Sequence, residues 1–500
     1  MMGRRRARQA RFEFTVVAPP DTSRRALLLQ LNEVVDWSFL YDRAAPCFSN
    51  GTGRASIDPV VMMKMMLVGC LFGIESDRAL VEHCADSLSV REFLGYDLDE
   101  ALPVHASFTH WRQRLGPDYF RDALHEITRQ CVAAGLSITS ARAVDGTFVK
   151  AQASTNGPRL EVPQGEEIAG YLESYFAGEV ESADRKEEPT TSVNLNDPEA
   201  RFQQKRGHRA DFGYQASFSS DIDSGLICDA TATVRERAGT AVEHVDQDPF
   251  GVDELAADTL YDSSEALHHL IERGVVPYVP KRSARRRGYL SKERFTYDPE
   301  RDVFACPAGC TLRFQKIRKQ SRHYIASRTD CRSCVLKPQC TKAVARTVTR
   351  TLHESARERT VRAGPRYDYL QRRRHINEYL HSLGKRQHCL RRARGIGLAS
   401  ARIQACLVAM AINLNKLIAH VDSRASTDVL GALWPLWEKL YALTCRKRRP
   451  GRRNDVLPIG PGTRQSPQPT PTQSPVLERN GTPLTGLPVL PPWTASFQLA

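Results

Sequence analysis

No uninterrupted apolar run in this 500-residue sequence is long enough to cross a bilayer. The longest apolar runs, 65–74 and 405–414, hold about ten residues each, half of what a membrane helix needs. No secretory signal opens it either, because M-M-G-R-R-R-A-R-Q-A-R is basic and no apolar segment follows. Acids are in short supply: 57 Asp and Glu against 71 Lys and Arg leave a formal charge of +14. Such a balance favours a polyanion partner, nucleic acid first, over its bland equivalent, a solubilising basic surface. The 13 cysteines form no secreted disulfide framework, since eight of them scatter through segments of ordinary core character. No internal repeat stands out. The expectation is a soluble, intracellular protein of about two to four domains.

Residues 1–19 read as a basic flexible arm that could lie along phosphates. From 20 to 136 the pattern is helical. Asp58-Pro59 starts one helix, V-V-M-M-K-M-M-L-V-G-C-L-F-G-I, apolar on nearly every face and hence buried. Ser76 or Asp77 caps a second helix, and Ser107 is placed to cap a third, F-T-H-W-R-Q-R-L. That third helix carries His110, Arg112 and Arg114 on one face, side chains suited to phosphates or bases, or simply to solvent.

Residues 143–154, A-V-D-G-T-F-V-K-A-Q-A-S, alternate like a half-buried strand and set Asp145 on it. A polar stretch, 155–205, shows no period and reads as a loop or insertion. Strand signals return at 212–222 and 226–234 with Asp223-Ser224-Gly225 as the turn. A strand, helix and strand follow within 255–280, which puts Asp258 at the carboxyl end of a sheet. Residues 281–350 hold basic runs and five clustered cysteines. Helical patterns resume in 351–422 and 423–445, and 446–500 is rich in Pro, Gly, Ser and Thr, a composition that reads as disordered.

Near 370 a long helical pattern, Q-R-R-R-H-I-N-E-Y-L-H-S-L-G-K, would put Arg374, Glu378 and Lys385 on one face, since steps of four and seven return to it. This is either a surface ion-pair ladder or a metal-binding Glu flanked by phosphate-holding cations. With it, Asp145, Asp258 and Glu378 form a candidate triad. Phosphodiester chemistry needs a few carboxylates that hold two divalent ions roughly 4 Å apart.

These residues resemble the DDE transposases of bacterial insertion sequences, in the branch whose third acid sits in Tyr-x2-Arg-x3-Glu-x6-Lys. The likeness lies in 58–74, in V-D-G-T-F-V-K-A-Q-A-S (144–154), in A-D-T-L-Y-D-S-S-E-A-L (257–267) and in Arg374, Glu378 and Lys385. The signature's Tyr would fall at 371, where this chain has Gln371, and Y-L-H-S-L-G follows Glu378 where relatives tend to have Phe-Gly. The resemblance implies an RNase-H-like α/β catalytic domain (137–280 and 351–422), an all-α DNA-binding domain before it and a Cys-rich insertion (281–350). It further implies Mg2+ or Mn2+ on Asp145, Asp258 and Glu378, and phosphate contacts by Arg374 and Lys385. Its partners would be terminal inverted repeats and target DNA, cut and joined by a homodimer. Arg112 and Arg114 are the expected DNA contacts of the helical domain. In the insertion, Cys306, Cys331, Cys334 and Cys340 are the expected Zn2+ ligands, with Cys310 spare, against reduced and unliganded thiols. A same-fold nuclease and a decayed, non-catalytic DNA-binding relative are the rival readings.

Overall fold

The alternating stretch around Asp145 becomes strand β1 (Ala141–Lys150), the middle of a six-stranded sheet. The structure, a computed structural model, describes residues 23–48, 56–184, 189–204, 210–235, 238–282, 289–318 and 321–445. The expected basic arm and the expected disordered tail lie outside the described residues. The chain divides into two units, 1–431 and 432–500, and of the second only the helical backbone to Cys445 is described.

After β1 come β2 (Arg159–Pro163), β3 (Thr190–Asn194), β4 (Arg201–Gln203), β5 (Asp211–Asp221), β6 (Ile227–Thr233), β7 (Glu254–Ala256) and β8 (Val276–Tyr278). The main sheet runs β4-β5-β1-β7-β8, with β6 paired to β5. Strands β5 and β6 are antiparallel neighbours of the β1 side, whereas β7 and β8 run parallel to β1 and to each other. The β5–β6 turn is held by Asp221, whose Oδ1 accepts the backbone N–H groups of Asp223 and Ser224. Gly225 follows at φ +65°, a left-handed conformation that favours glycine, with the Ile376 side chain packed against it.

Both faces of this sheet are covered. On one side Phe218, Ile227 and Ala230 share a continuous core with Met62, Met65 and Leu67, with Phe108 and Phe120, and with Leu407, Met410 and Leu414. Helix Pro59–Leu71 is buried almost all round, as its composition requires, and Asp58 caps it by accepting from Val60 and Val61. On the other side Val144 and Leu255 pack against Leu267, Leu270 and Ala356. Helix Leu398–Cys445 is long and apolar enough in its first part to span a membrane by length and composition, but 78% of its most apolar window is buried inside the protein. A core helix passes the same test.

Three expectations change. The stretch 155–205 is no plain loop: β2 and β3 pair, helix Ile168–Ala177 lies between them in sequence, and Leu160, Val162, Leu172 and Val193 form a small core. The third N-terminal helix runs Ala106–Ala133 through a kink at Gly116-Pro117, and its N-cap is His105, not Ser107. The long helix near 370 is two helices, Pro365–Arg373 and Ile376–Gln387. Between them the N–H groups of Asn377 and Glu378 bond carbonyls three residues back, a tightened turn that re-aims the second helix.

Residues 281–350, which show no clear strand pattern in sequence, fold around a second sheet. Strands β9 (Thr296–Asp298), β10 (Val303–Ala305), β11 (Thr311–Arg318), β12 (Ser321–Ala326) and β13 (Thr347–Thr351) form an antiparallel meander. Phe295, Phe304, Leu312, Tyr324 and Val348 make its separate core.

Candidate active site

Parallel pairing of β1 with β7 ends at Ala143 opposite Ala256. Asp145 and Asp258 each stand two residues further on, so adjacent strands bring both acids to the same edge of the sheet. Asp145 is largely buried, its side chain 19% exposed, and its Oδ1 accepts the N–H of Gly146 at 2.8 Å. Asp258 caps the short turn Thr259–Tyr261 by accepting from Leu260. Burial pushes the Asp145 carboxyl up to about 6 against the pull of the Gly146 N–H. The charges of Asp258 and Glu378 push the same way and Arg374 opposes them. The charges of Asp258 and Glu378 thus reach Asp145 across the sheet edge and from the helix beside it.

Glu378 lies in the first turn of helix Ile376–Gln387, 60% exposed, with its Oε1 2.9 Å from Nδ1 of His375. The residue before it does the anchoring. Asn377 is fully buried, donates from Nδ2 to the carbonyls of Ala143 and Phe218, and accepts from the Ser220 hydroxyl. It thus ties the helix to β1 and β5 two residues from Asp145. A polar residue on the apolar side of a helix was the available signal.

Arg374 ends the helix before, so it does not share a helix with Glu378 as expected. Its Nε donates to Oε1 of Gln371, and Nε2 of Gln371 donates to the carbonyls of Tyr278 (2.7 Å) and Ala257 (3.4 Å). Gln371, at the signature's Tyr position, therefore clamps Arg374 to the chain next to Asp258. We expect Gln371→Ala to slow any cleavage by roughly ten- to a hundredfold, as loss of a supporting hydrogen bond does. Single-turnover rates would measure this, and an unchanged rate would mean the clamp is idle.

His381 was not foreseen. It is buried one turn after Glu378, its ring tilted against that of Phe218 at 4.8 Å between centroids, with Nδ1 3.9 Å from Oδ2 of Asp145. Burial, helped by Lys385, lowers its pKa to about 3, so the ring is neutral and the contact is not an ion pair. Lys385 is thereby near the same pocket. Beneath β1 lies a further buried network. The Ser217 hydroxyl donates to the Asp145 carbonyl and meets His244 Nε2 at 2.9 Å. His244 Nδ1 is 2.6 Å from Asp229, which also holds Arg121 and His125 of helix Ala106–Ala133 at 3.1 Å each.

The other expected contacts fare differently. Arg112 points inward, 10% exposed, and pairs bidentately with Asp77 at 2.7 Å, so it is committed within the protein. Arg114 is exposed and lies over the Phe48 ring. Cys306, Cys331, Cys334 and Cys340, together with Cys310, all line one small cavity of about 30 Å³, and all are free thiols. Among the described residues, however, no three His, Cys, Asp or Glu side chains are set to hold a metal ion. The expected zinc site is therefore not supported by the arrangement of these thiols. The same finding means the carboxylates do not form a closed ligand cage as they stand: Glu378 is turned to His375. Their all-oxygen donor set still fits a hard divalent cation.

An acid-lined sheet edge in a mixed α/β protein is compatible with several hydrolytic chemistries, and family comparison narrows the choice. A transposase domain model (DUF772) matches residues 19–114, and a transposase DDE domain model matches residues 305–418. Two separate parts of the chain thus match transposase domains. More particularly, the second of them matches a transposase domain of DDE type. The second match includes Glu378 and the cysteines and begins beyond Asp145 and Asp258. A solved structure of a piggyBac transposase synaptic complex with hairpin DNA is similar at TM-score 0.32 and 11% identity, over 80% of this chain and 76% of that one.

Proposed function

We propose that Asp145, Asp258 and Glu378 are the catalytic acids, that the sheet is RNase-H-like, and that the chain cuts and joins the ends of its own element. The observation that supports this best is the pairing geometry. Asp145 and Asp258 extend adjacent parallel strands by the same two residues, and the Asp145 carboxyl is raised to about 6 by burial, Asp258 and Glu378. The strand order β6-β5-β1-β7-β8, with its first three strands antiparallel and the rest parallel, supports the fold reading.

In this reading Mg2+ or Mn2+, bound by the three carboxylates, supplies activation of the attacking oxygen and stabilisation of the leaving one. Asp145 is kept rigid by its strand. Glu378 leaves His375 and turns toward the two aspartates. Arg374, held by Gln371, and Lys385 steady phosphates beside the acids. Cleavage at the element's ends leaves a 3′-OH that attacks target DNA, and work on two ends calls for a homodimer on the DNA, in the bacterial cytoplasm. Arg114 and its helical neighbours would contact the terminal repeats. The ordered Gln371 clamp weighs against a decayed relative.

The test uses the full chain, DNA carrying the element's two ends, and Mg2+ or Mn2+. End-specific cleavage should require the metal and fall by at least about a hundredfold in Glu378→Gln with DNA binding retained. Cleavage that ignores either the metal or the substitution would remove the triad from the mechanism. Indiscriminate nicking would favour the nuclease reading.

A further inference from the structure

The chain's positive charge is not spread over it. Residues 281–350 hold 19 Lys and Arg against 5 Asp and Glu, a balance of +14, and the other 430 residues hold 52 of each sign. The whole net charge of the protein is therefore lodged in the segment that folds as the β9–β13 sheet and its flanks.

Within that sheet, β11 and β12 display cations in a particular way. Register pairs Arg313 with Ile325, Phe314 with Tyr324, Lys316 with His323, Ile317 with Arg322 and Arg318 with Ser321, with a bulge between Phe314 and Lys316. Without the bulge, alternation would send Arg313 to one face and Lys316 and Arg318 to the other. The extra residue reverses the parity, so all three share a face with Ser321, His323 and Ile325. The next strand adds Thr347, Thr349 and Thr351 to it, through pairing with Ile325, His323 and Ser321. None of these nine positions is acidic. The acid on this face, Asp298, lies two strands from Arg313 and caps the turn at Glu300 and Arg301. The opposite face carries the core residues Leu312 and Tyr324 and the cations already neutralised, Arg322 by Asp302 and Arg350 by Glu358. Arg313, Lys316 and Arg318 are exposed and make no ion pair with a described residue.

We infer that this face of the β11–β12 ribbon, centred on Arg313, Lys316 and Arg318, is a binding surface for the backbone of double-stranded DNA. The inference rests on the DNA-acting reading of the chain and adds where the duplex is gripped. Guanidinium and ammonium groups neutralise phosphates, and serine and threonine hydroxyls donate to phosphate oxygens. Because the contacts are to the backbone, they supply affinity and orientation with no sequence preference of their own.

The experiment measures binding of the full-length protein to a duplex of arbitrary sequence across a salt series. In Arg313→Gln/Lys316→Gln/Arg318→Gln the slope of log affinity against log salt should fall by about 3, one for each phosphate no longer neutralised. A control that removes three exposed cations outside both this sheet and the helical N-terminal domain, Arg159→Gln/Arg235→Gln/Arg273→Gln, should leave it nearly unchanged. Melting curves of both variants report folding, and a charge-reversed single variant, Lys316→Glu, covers the case in which the triple variant is destabilised. Its slope should fall by about 1 to 2. Wild-type binding with a steep slope that these substitutions do not alter would overturn the ribbon assignment and leave the transposase reading intact. A wild type that shows no salt-dependent binding to DNA would overturn both.

Discussion

Asp145→Asn should abolish strand cleavage while making the metal-free protein more stable. Activity is expected to fall by roughly a thousandfold or more, the scale seen when a central member of a catalytic set is removed. Stability moves the other way because the wild-type carboxyl is raised from 3.8 to about 6, chiefly by burial and then by Asp258 and Glu378. A raised carboxyl contributes stability that is complete below about pH 4 and is lost as pH rises through about 6. Above that, wild type carries a buried charge beside two others, and a rise of this size corresponds to about 2 to 3 kcal/mol. Asparagine keeps the Gly146 N–H bond through its own oxygen and carries no charge. Denaturant melts at about pH 4 and pH 8 would measure this: the two proteins should agree at the lower pH and diverge at the higher. Added Mg2+ should then raise the wild type alone. Parallel curves at both pH values would mean that Asp145 does not feel its neighbours as described.

The second large effect lies away from the acids. Asp229 is wholly buried, and burial works to raise its pKa. Hydrogen bonds from His125 and His244, with the charges of His244 and Arg121, prevail and hold it below the ordinary carboxylate range. The sign is the reverse of Asp145: this stability is present above about pH 4 and is lost only as pH falls through the depressed value. Asp229→Ala leaves Arg121 with Glu243 alone and deprives the buried His125 and His244 rings of their carboxylate partner, a change that costs about 3 to 5 kcal/mol. Urea unfolding at neutral pH would report it, and a loss below about 1 kcal/mol would show that water or Glu243 takes over. Because Ser217 joins this network to the Asp145 carbonyl, the protein that still folds should also cleave more slowly.

What could be read from the sequence divides along a physical line. Asp145 was legible because strand alternation and the D-G-T context are local, and Asp258 because a short apolar strand ends just before it. Glu378 was legible through spacing from Arg374 and Lys385, although the continuous helix inferred from that spacing is in fact broken. Asn377, Gln371 and His381 were not, because their partners, such as Ala143 and Tyr278, lie far away along the chain, where periodicity carries no information. Arg112 misled for the same reason: its charge advertises solvent, and only the fold supplies Asp77. The strands of 281–350 were hidden by charge, since only one face of each needs to be apolar to build so small a core.

Helix Leu398–Cys445 has a consequence for how this protein is made. Its apolar residues, from Leu407 to Leu417, fill the space between the N-terminal helices and the sheet and belong to a single continuous core with Met62, Phe120 and Phe218. Neither neighbour can close until the ribosome has passed position 418. At about 5 to 20 residues per second, the methionine-rich segment 59–71 waits tens of seconds with its counterpart still untranslated. Prematurely terminated products would therefore be left adhesive and dependent on chaperones, and a shortened chain that stops before 398 should not accumulate in soluble form.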